Sequence, residues 1–329
     1  MKNLCVVVPV FNDWSSLNVL LRRMDQLSKS LSPEIFVTVV DDGSTESANA
    51  ALQDLTLLTN LHGVEIVHLA ANVGHQRAIA IGLCVAVADH DMDAILVMDG
   101  DGEDPPEEIA TLLRQAGSRQ DFCIVAQRRK RHEDLTFRLS YIAYKTVFRV
   151  VTGKKINFGN FSLSSRGYAR RLVMISDLWN NLAAALLRSR LPIEMVPIDR
   201  GTRYAGTSKM NYVSLILHGL SGMSVYAETI LVRLMLLTFG LVTLSVVLIA
   251  TVLSLRVFAP LYATPGWATT VTFGIVIIFL QVLFTTLSSI LILLNSRVQR
   301  QTLPYVDYKP YVASRELIVG RYPTTIPAS

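Results

Sequence analysis

The sequence predicts an α/β fold: a doubly wound, mainly parallel sheet, followed by an interfacial helix and a two-helix transmembrane hairpin. Three observations predict it. Short apolar runs alternate with helix-length segments through the first part of the chain. Polar clusters, several of them acidic, stand directly after those runs. Two apolar stretches without a charge, 234–255 and 267–294, lie near the C-terminus. Composition points the same way, since 51% of the 329 residues are hydrophobic, more than a soluble domain usually carries.

The first run, Leu4 to Val10, reads as a buried parallel strand. It is too short for a signal peptide, and Pro9-Val10-Phe11-Asn12-Asp13 follows at once. Asp13 is placed to cap a helix carrying Leu17, Leu20, Leu21, Met24 and Leu27 on one face. Residues 35–40 form a second strand that ends in Asp41-Asp42-Gly43-Ser44. A second helix precedes a third strand, 64–69; Asn72-Val73-Gly74-His75-Gln76-Arg77 then leads to a helix expected over 78–88. The fourth strand is 94–98 and the fifth 122–126. Beyond a helical region across 177–190, a strand over 193–198 leads into a loop from Arg200 to Lys209.

In such a sheet, ligands bind beyond the carboxyl ends of the strands. Residues 9–13, 41–44, 72–77 and 99–103 all fall at strand ends, so four polar clusters line one rim. The densest is Asp99-Gly100-Asp101-Gly102-Glu103-Asp104, followed by a Pro105-Pro106 step that forces a turn and can open a helix. Carboxylates crowded this closely repel one another unless a cation sits among them. Hard oxygen ligands suit Mg²⁺ or Mn²⁺, and such ions usually also hold substrate phosphates. A solvated acidic turn has the same composition; the other clusters on the rim favour a metal that holds a nucleotide diphosphate.

The basic residues divide into three groups. Arg128-Arg129-Lys130-Arg131 reads as a solvated face. The helical segment 135–151, with Arg138, Lys145 and Arg149, suits a membrane surface, the core or another subunit. Arg200, Arg203 and Lys209, spaced by glycines and hydroxyls that include Gly206 and Ser208, make an anion-binding loop. The net charge of +5 needs no nucleic acid partner, because a lipid bilayer and substrate phosphates account for it. Cys5, Cys84 and Cys123 each sit in an apolar run and are expected to be buried free thiols.

The two uncharged stretches are long enough to span a bilayer, and Trp267 suits its interface. The short loop between them carries only Arg256, whereas Arg203, Lys209, Arg233, Arg297, Arg300 and Lys309 flank the other ends. The positive-inside rule then puts both termini in the cytoplasm. The expected organisation of this integral membrane protein is a cytoplasmic catalytic domain over 1–209, an interfacial amphipathic helix over 210–229, a hairpin over 230–296 and a cytoplasmic tail over 297–329. The tail, with Tyr305, Tyr308 and Tyr311, is open to two readings: it folds back on the catalytic domain, or it contacts a neighbouring chain in a homo-oligomer. The order of the segments suggests a reaction at the membrane surface between a soluble nucleotide-activated group and an anionic, lipid-anchored acceptor.

At this point a resemblance enters. Residues 9–13, 41–44 and 72–76 with Asp99-Gly100-Asp101 resemble the signature of family 2 glycosyltransferases, which have the GT-A fold. Asp104-Pro105-Pro106-Glu107, the Arg200–Arg203–Gly206–Ser208–Lys209 pattern and the two spans narrow the likeness to the polyprenyl-phosphate glycosyltransferases. That group includes dolichol-phosphate mannosyltransferase and the bactoprenol glucosyltransferases. The resemblance covers about residues 4–296. It implies inverting transfer of a hexose from a nucleotide sugar, UDP-linked in preference to GDP-linked, to a membrane polyprenyl phosphate, for glycan or cell-envelope modification. It assigns Pro9, Asp13, Asp41, Asp42, Asn72, Gly74 and Arg77 to the nucleotide pocket. It makes Asp99 face nucleotide or metal and Asp101 a metal ligand, and Glu103, two residues on, adds a charge that could also bind the metal. It gives catalysis to Asp99, Asp101 and Arg203, and the lipid phosphate to Arg200, Arg203, Ser208 and Lys209.

The chain departs from that family in two places. Glu103 stands where Gln is frequent. Asn160, in Gly159-Asn160-Phe161, stands where many relatives have Asp, and Asn157 holds a second such position. The Asp has been considered a base or an acceptor-side carboxylate, and Asn cannot take a proton at neutral pH. A phosphate monoester, with a second pKa of about 6, is already largely dianionic near neutrality, so positioning and electrostatics suffice. The alternatives are a base supplied by Glu103 or Asp104, or a catalytically impaired chain. Two competing functions are a non-catalytic membrane scaffold that keeps a nucleotide-sugar pocket and a processive polysaccharide synthase; the latter's Gln-x-x-Arg-Trp motif is absent.

Overall fold

The apolar runs pair into one mixed sheet whose strands are Asn3–Val10 (β1), Glu34–Asp41 (β2), Gly63–Leu69 (β3), Ala94–Val97 (β4), Cys123–Arg128 (β5), Ser162–Ser165 (β6), Glu194–Ile198 (β7) and Val312–Gly320 (β8). The computed structural model describes residues 1–48, 52, 58–128, 146–154, 157–205, 220–258, 266–298 and 301–323. The strand order is β7-β5-β6-β4-β1-β2-β3-β8. Pairings β4–β1, β1–β2, β2–β3 and β5–β7 are parallel, and β6 and β8 pair antiparallel with their neighbours. The expected mainly parallel α/β fold is thus present, with an antiparallel strand inserted between β4 and β5 and another at an edge.

Successive side chains of a strand point to opposite faces, and β1 feeds two apolar layers in this way. Cys5 and Val7 join the layer under Trp14–Ser28's opposite number, the helix His75–Ala88 (α2). Leu4, Val6 and Val8 join the layer that holds Leu17, Leu20, Leu21 and Met24 of Trp14–Ser28 (α1). Helix α2 is buried almost all round, so its sequence carries no amphipathic stripe. Ile109–Ala116 (α3) follows a 3₁₀ turn at Pro106–Glu108, as the Pro-Pro step led one to expect. Arg166–Leu172 (α4) and Leu182–Arg188 (α5) complete the helices around the sheet. All three cysteines are buried and free, and burial pushes the Cys5 thiol up to about 12.

Several local expectations need correction. Helix α2 begins at His75, not at 78, because Gly74 turns the chain at φ +92° and its carbonyl accepts the N–H groups of Arg77 and Ala78. Asp13 precedes α1, but its side chain makes no capping bond; the carboxylate turns instead toward Arg203. The second helix falls mostly outside the described residues, as do Arg129, Lys130, Arg131, Arg138 and Lys145. The described part of the 135–151 segment is helical from 146.

The chain divides into two compact units. One comprises Met1–Lys145, Lys155–Val225 and Thr302–Ser329; the other comprises Thr146–Lys154 and Tyr226–Gln301. The second unit contains Ala227–Phe258 (α6) and Trp267–Val298 (α7), both long and apolar enough to cross a membrane. Thr238, Ser245 and Val252 are buried on α6 at seven-residue spacing. The Thr238 and Ser245 hydroxyls donate to carbonyls of their own helix, so their burial leaves neither donor unpaired. Phe239 and Phe284 are exposed, which is the partition a lipid solvent favours. In this unit Phe148 meets Tyr226 edge-on, and Arg233 donates to the Val150 carbonyl at 2.7 Å. Residues 210–219 lie outside the described part, and 227–229 belong to α6 rather than to a separate interfacial helix.

The tail folds back onto the sheet. After Pro304–Asp307 (α8), β8 pairs with β3 from Val312↔Leu69 to Gly320↔Gly63. Arg315 pairs with Asp89, and the Tyr308 hydroxyl donates to the same carboxylate at 3.3 Å. Tyr322 enters the core: its hydroxyl donates to the Val37 carbonyl at 2.5 Å, and its ring packs on Phe36 and His90. Beside it, the buried Glu65 carboxylate accepts from Thr38 at 2.9 Å and lies 2.6 Å from His90 Nε2. We expect Tyr322→Ala to destabilise the detergent-solubilised chain by about 3 kcal/mol or more. Tyr322→Phe loses only the hydrogen bond and is expected to cost about 1 kcal/mol. Thermal unfolding of the three proteins checks this; equal melting temperatures would contradict the docked tail.

Candidate active site

The acidic stretch is shaped by its own backbone. Met98 donates to the Val7 carbonyl and keeps the chain beside β1 for one more residue. The turn then closes through two carboxylates: Asp104 Oδ2 accepts the Asp99 N–H at 3.0 Å, and Asp101 Oδ1 accepts the Glu103 N–H at 3.0 Å. Asp104 is 2% exposed, so it is a turn-holding carboxylate rather than one presented to a substrate. Gly102, at φ +93°, has the ring of Tyr204 against it; a Cβ there would lie 2.7 Å from a ring carbon.

That contact belongs to a larger closure. The loop after β7 is hydrogen-bonded onto the acidic turn: the Gly201 N–H donates to the Glu103 carbonyl at 3.0 Å, and the Tyr204 N–H donates to the Asp101 carbonyl at 2.9 Å. Arg23 lies over the Tyr204 ring, 5.0 Å from its centroid. Backbone and side chains thus carry Arg200 and Arg203 to the carboxylates. Arg200 pairs with Glu103. Arg203 Nη2 stands 3.4 Å from Asp13 Oδ2 and 3.6 Å from Asp101 Oδ2. The buried Arg203 Nε has no hydrogen-bond partner among the described residues. Buried donors are nearly always paired in folded proteins, so this N–H is a donor in need of an acceptor from beyond the described residues.

The electrostatics agree with a ligand site. The Asp101 carboxyl is held above the usual carboxylate range, first by burial. Asp99 and Glu103 push it further up, while the Glu103 N–H and Arg203 pull it down. Such clustered negative charge suits a hard divalent cation. Among the described residues, no three His, Cys, Asp or Glu side chains form a ready-made cage. Mg²⁺ characteristically takes one or two carboxylates plus substrate oxygens, so this donor set fits it. Glu103 meets Arg200 through Oε2, which leaves Oε1 as the oxygen it could bring to such a set.

The other rim clusters tie loops together. Asp41 and Asp42 are buried. Asp41 accepts the Ser44 N–H at 2.9 Å and meets His68 Nδ1 at 2.8 Å. Asp42 accepts the Val73 N–H at 2.7 Å and the Gly74 N–H, although burial still lifts its pKa above the ordinary value. Asn12, in the left-handed region at φ 49°, accepts the N–H groups of Thr45 and Glu46 and so joins the first rim loop to the second. Pro9 is buried at the end of β1, whereas Asn72 and Arg77 are exposed.

A fourth group adjoins Asp99. His75 Nε2 stands 3.2 Å from Asp99 Oδ1, and Asn160 Nδ2 stands 3.5 Å from the same oxygen. Asn160 Oδ1 accepts from Gln76 Nε2 at 3.1 Å, and Gln76 Oε1 accepts the Leu182 N–H at 2.8 Å. Partial desolvation works against a charged His75 imidazole, but the attraction of Asp99, Asp42 and Asp101 outweighs it and raises its pKa.

The structure therefore brings Asp13, Asp101 and Arg203 together, pairs Arg200 with Glu103, and sets Asp99 beside His75 and Asn160. Asn157 is exposed, and Ser208 and Lys209 lie outside the described residues. His75, Gln76, Asn12 and Tyr204 were not singled out by the sequence. The first two were present in the 72–76 motif, but a helix expected to start at 78 left them in a loop.

Residues 5–201 match the family model described as Glycosyl transferase family 2. The fold is similar to mannosyl-3-phosphoglycerate synthase from Rubrobacter xylanophilus, with a TM-score of 0.50 and 16% identity over 69% of this chain and 73% of that one. It is similar to glucosyl-3-phosphoglycerate synthase from Mycobacterium tuberculosis in complex with Mn²⁺, uridine diphosphate and phosphoglyceric acid: TM-score 0.51, 12% identity, 70% of this chain and 78% of that one. The same enzyme in complex with Mg²⁺ and uridine diphosphate gives a TM-score of 0.50 at 12% identity, over 69% and 79% of the two chains. At these identities the likeness is one of fold.

Proposed function

We propose that this chain, which belongs to glycosyl transferase family 2, moves a hexose from a UDP-linked sugar to a polyprenyl phosphate at a membrane surface. Transfer from a nucleotide sugar is the family's chemistry; the lipid acceptor is our reading. The observation that carries it is the basic loop bonded onto the acidic turn, with a buried Arg203 Nε–H that has no acceptor among the described residues. One surface thereby offers carboxylates for a cation and a guanidinium for an anion.

In this reading Asp101, with Glu103, would hold Mg²⁺ or Mn²⁺. When bound, the ion supplies positive charge to a leaving diphosphate. The structures of the Mycobacterium tuberculosis enzyme with Mn²⁺ or Mg²⁺ and uridine diphosphate support both the ion and the base. Asp41 and Asp42 shape the nucleotide pocket by fixing the 41–44 and 72–74 loops. Arg203, with Arg200, Ser208 and Lys209 from the same loop, receives the acceptor phosphate. An oxygen of that phosphate attacks the anomeric carbon as the bond to the diphosphate breaks, which inverts the configuration. The phosphate arrives deprotonated, so Asn160 need not act as a base.

The long apolar helices α6 and α7 support the membrane setting. The chain up to Val225 and again from Thr302 belongs to the unit built on the sheet. A hairpin so joined enters and leaves on one side, and its flanking cations favour the cytoplasmic side. The test is purified protein in detergent with Mn²⁺ or Mg²⁺, undecaprenyl phosphate and a panel of UDP- and GDP-hexoses. A lipid-linked hexose phosphate from a UDP donor, read by mass spectrometry, is expected. Nucleotide binding without product from any donor would favour the non-catalytic scaffold.

A further inference from the structure

We infer that Gln76 and Asn160 are positioning residues that fix the Asp99 carboxylate, and that Asn160 is fitted to this task rather than being a base that has been lost. The inference rests on the reading above and on the family resemblance, which makes Asp99 face nucleotide or metal.

The argument starts from a group whose polarity is not in question. Leu182 opens α5, so its backbone N–H is one of the donors a helix start leaves without an intrahelical partner. Gln76 Oε1 accepts it at 2.8 Å. Gln76 is 8% exposed, and with its oxygen committed, its Nε2 must face Asn160. Asn160 Oδ1 accepts from that nitrogen at 3.1 Å, so Asn160 must present its NH₂ on the other side. There Nδ2 lies 3.5 Å from Asp99 Oδ1 and 3.1 Å from His75 Nε2, which itself stands 3.2 Å from Asp99 Oδ1. One backbone N–H thus orients two amides in turn, and the second offers a donor to the carboxylate.

Aspartate at position 160 would break this order. One of its oxygens could still accept from Gln76, but the other would face Asp99 and His75 Nε2, repelling the first carboxylate and competing with it for the imidazole, where the amide now stands 3.5 Å from Asp99 and 3.1 Å from His75. Glutamate at position 76 would break it by another route. It keeps the Leu182 N–H bond but needs a donor from Asn160, which turns the Asn160 oxygen toward Asp99.

The test measures lipid-linked product from full-length wild type, Asn160→Asp, Asn160→Ala and Gln76→Glu, with melting temperature and UDP binding as controls. We expect Asn160→Asp and Gln76→Glu, though isosteric, to lower kcat by about tenfold to a hundredfold, since small misplacements of a reacting group have effects of this size. Asn160→Ala, which removes the amide without adding charge, is expected to lose less than Asn160→Asp. Acceptor KM should stay within about twofold, because the phosphate loop is untouched. A role in folding alone would move melting temperature and spare kcat in the isosteric pair. A rise in kcat for Asn160→Asp would show a lost base and overturn the inference. So would equal rates in Asn160→Asp, Gln76→Glu and wild type. A wild type that makes no product overturns the reading of the function, and this inference with it.

Discussion

Replacing Asp101 with alanine is expected to lower sugar transfer by about a thousandfold, equivalent to ~4 kcal/mol of transition-state stabilisation. The effect is large because this carboxylate serves three neighbours at once. It accepts the Glu103 N–H that shapes the turn, it lies 3.6 Å from Arg203, and in our reading it is the principal protein ligand of the divalent ion. Its pKa is raised first by burial and then by the negative charge of Asp99 and Glu103, which such an ion would offset. The measurement is kcat/KM for transfer at saturating Mn²⁺, together with UDP affinity with and without Mn²⁺. Wild type should bind UDP more tightly with the ion, and Asp101→Ala should lose that difference. A variant that keeps both its rate and its Mn²⁺-dependent binding would remove Asp101 from the site.

Arg203→Ala is the second large effect, a loss of about a hundredfold, the scale seen when one preorganised donor to developing or transferred charge is removed. The side chain is held by the closure of the loop over the turn, through the Gly201 and Tyr204 N–H groups, so its guanidinium is placed before any ligand arrives. Arg203→Lys keeps the charge but not the planar fork or the buried Nε–H, and it should recover only part of the loss. The rise in acceptor KM should exceed the rise in donor KM. The reverse pattern would give Arg203 to the donor diphosphate instead.

How far the sequence carries the site depends on the range of the interactions. Strands β1 to β4 are legible because they are buried runs, and the polar clusters at their ends are local in sequence. Strand β6 is not. Ser-Leu-Ser-Ser has no strand pattern, and it is tolerated in the interior because Ser162 donates to the Asn160 carbonyl and Ser165 caps α4. Strand β8 follows the long apolar helices and is mostly exposed, so nothing near it in sequence signals its pairing with β3. Asp13 looks like a helix cap because Asp is a good one; only the approach of Arg203 from the far end of the sheet unit shows that it is otherwise engaged. The Asn160 substitution was visible as a departure. Its meaning depends on Gln76 and Leu182, whose proximity is tertiary.

The central claim is that the acceptor is a phosphate on a lipid, which needs no base at position 160. The most direct measurement offers the wild-type enzyme one UDP-hexose and three acceptors in parallel: a polyprenyl phosphate, the corresponding polyprenol, and 3-phosphoglycerate. Product from the polyprenyl phosphate alone is expected. Transfer to the polyprenol at a comparable rate would mean that the site deprotonates a hydroxyl, and transfer to 3-phosphoglycerate would mean that the lipid is not the acceptor. Either result would contradict the account.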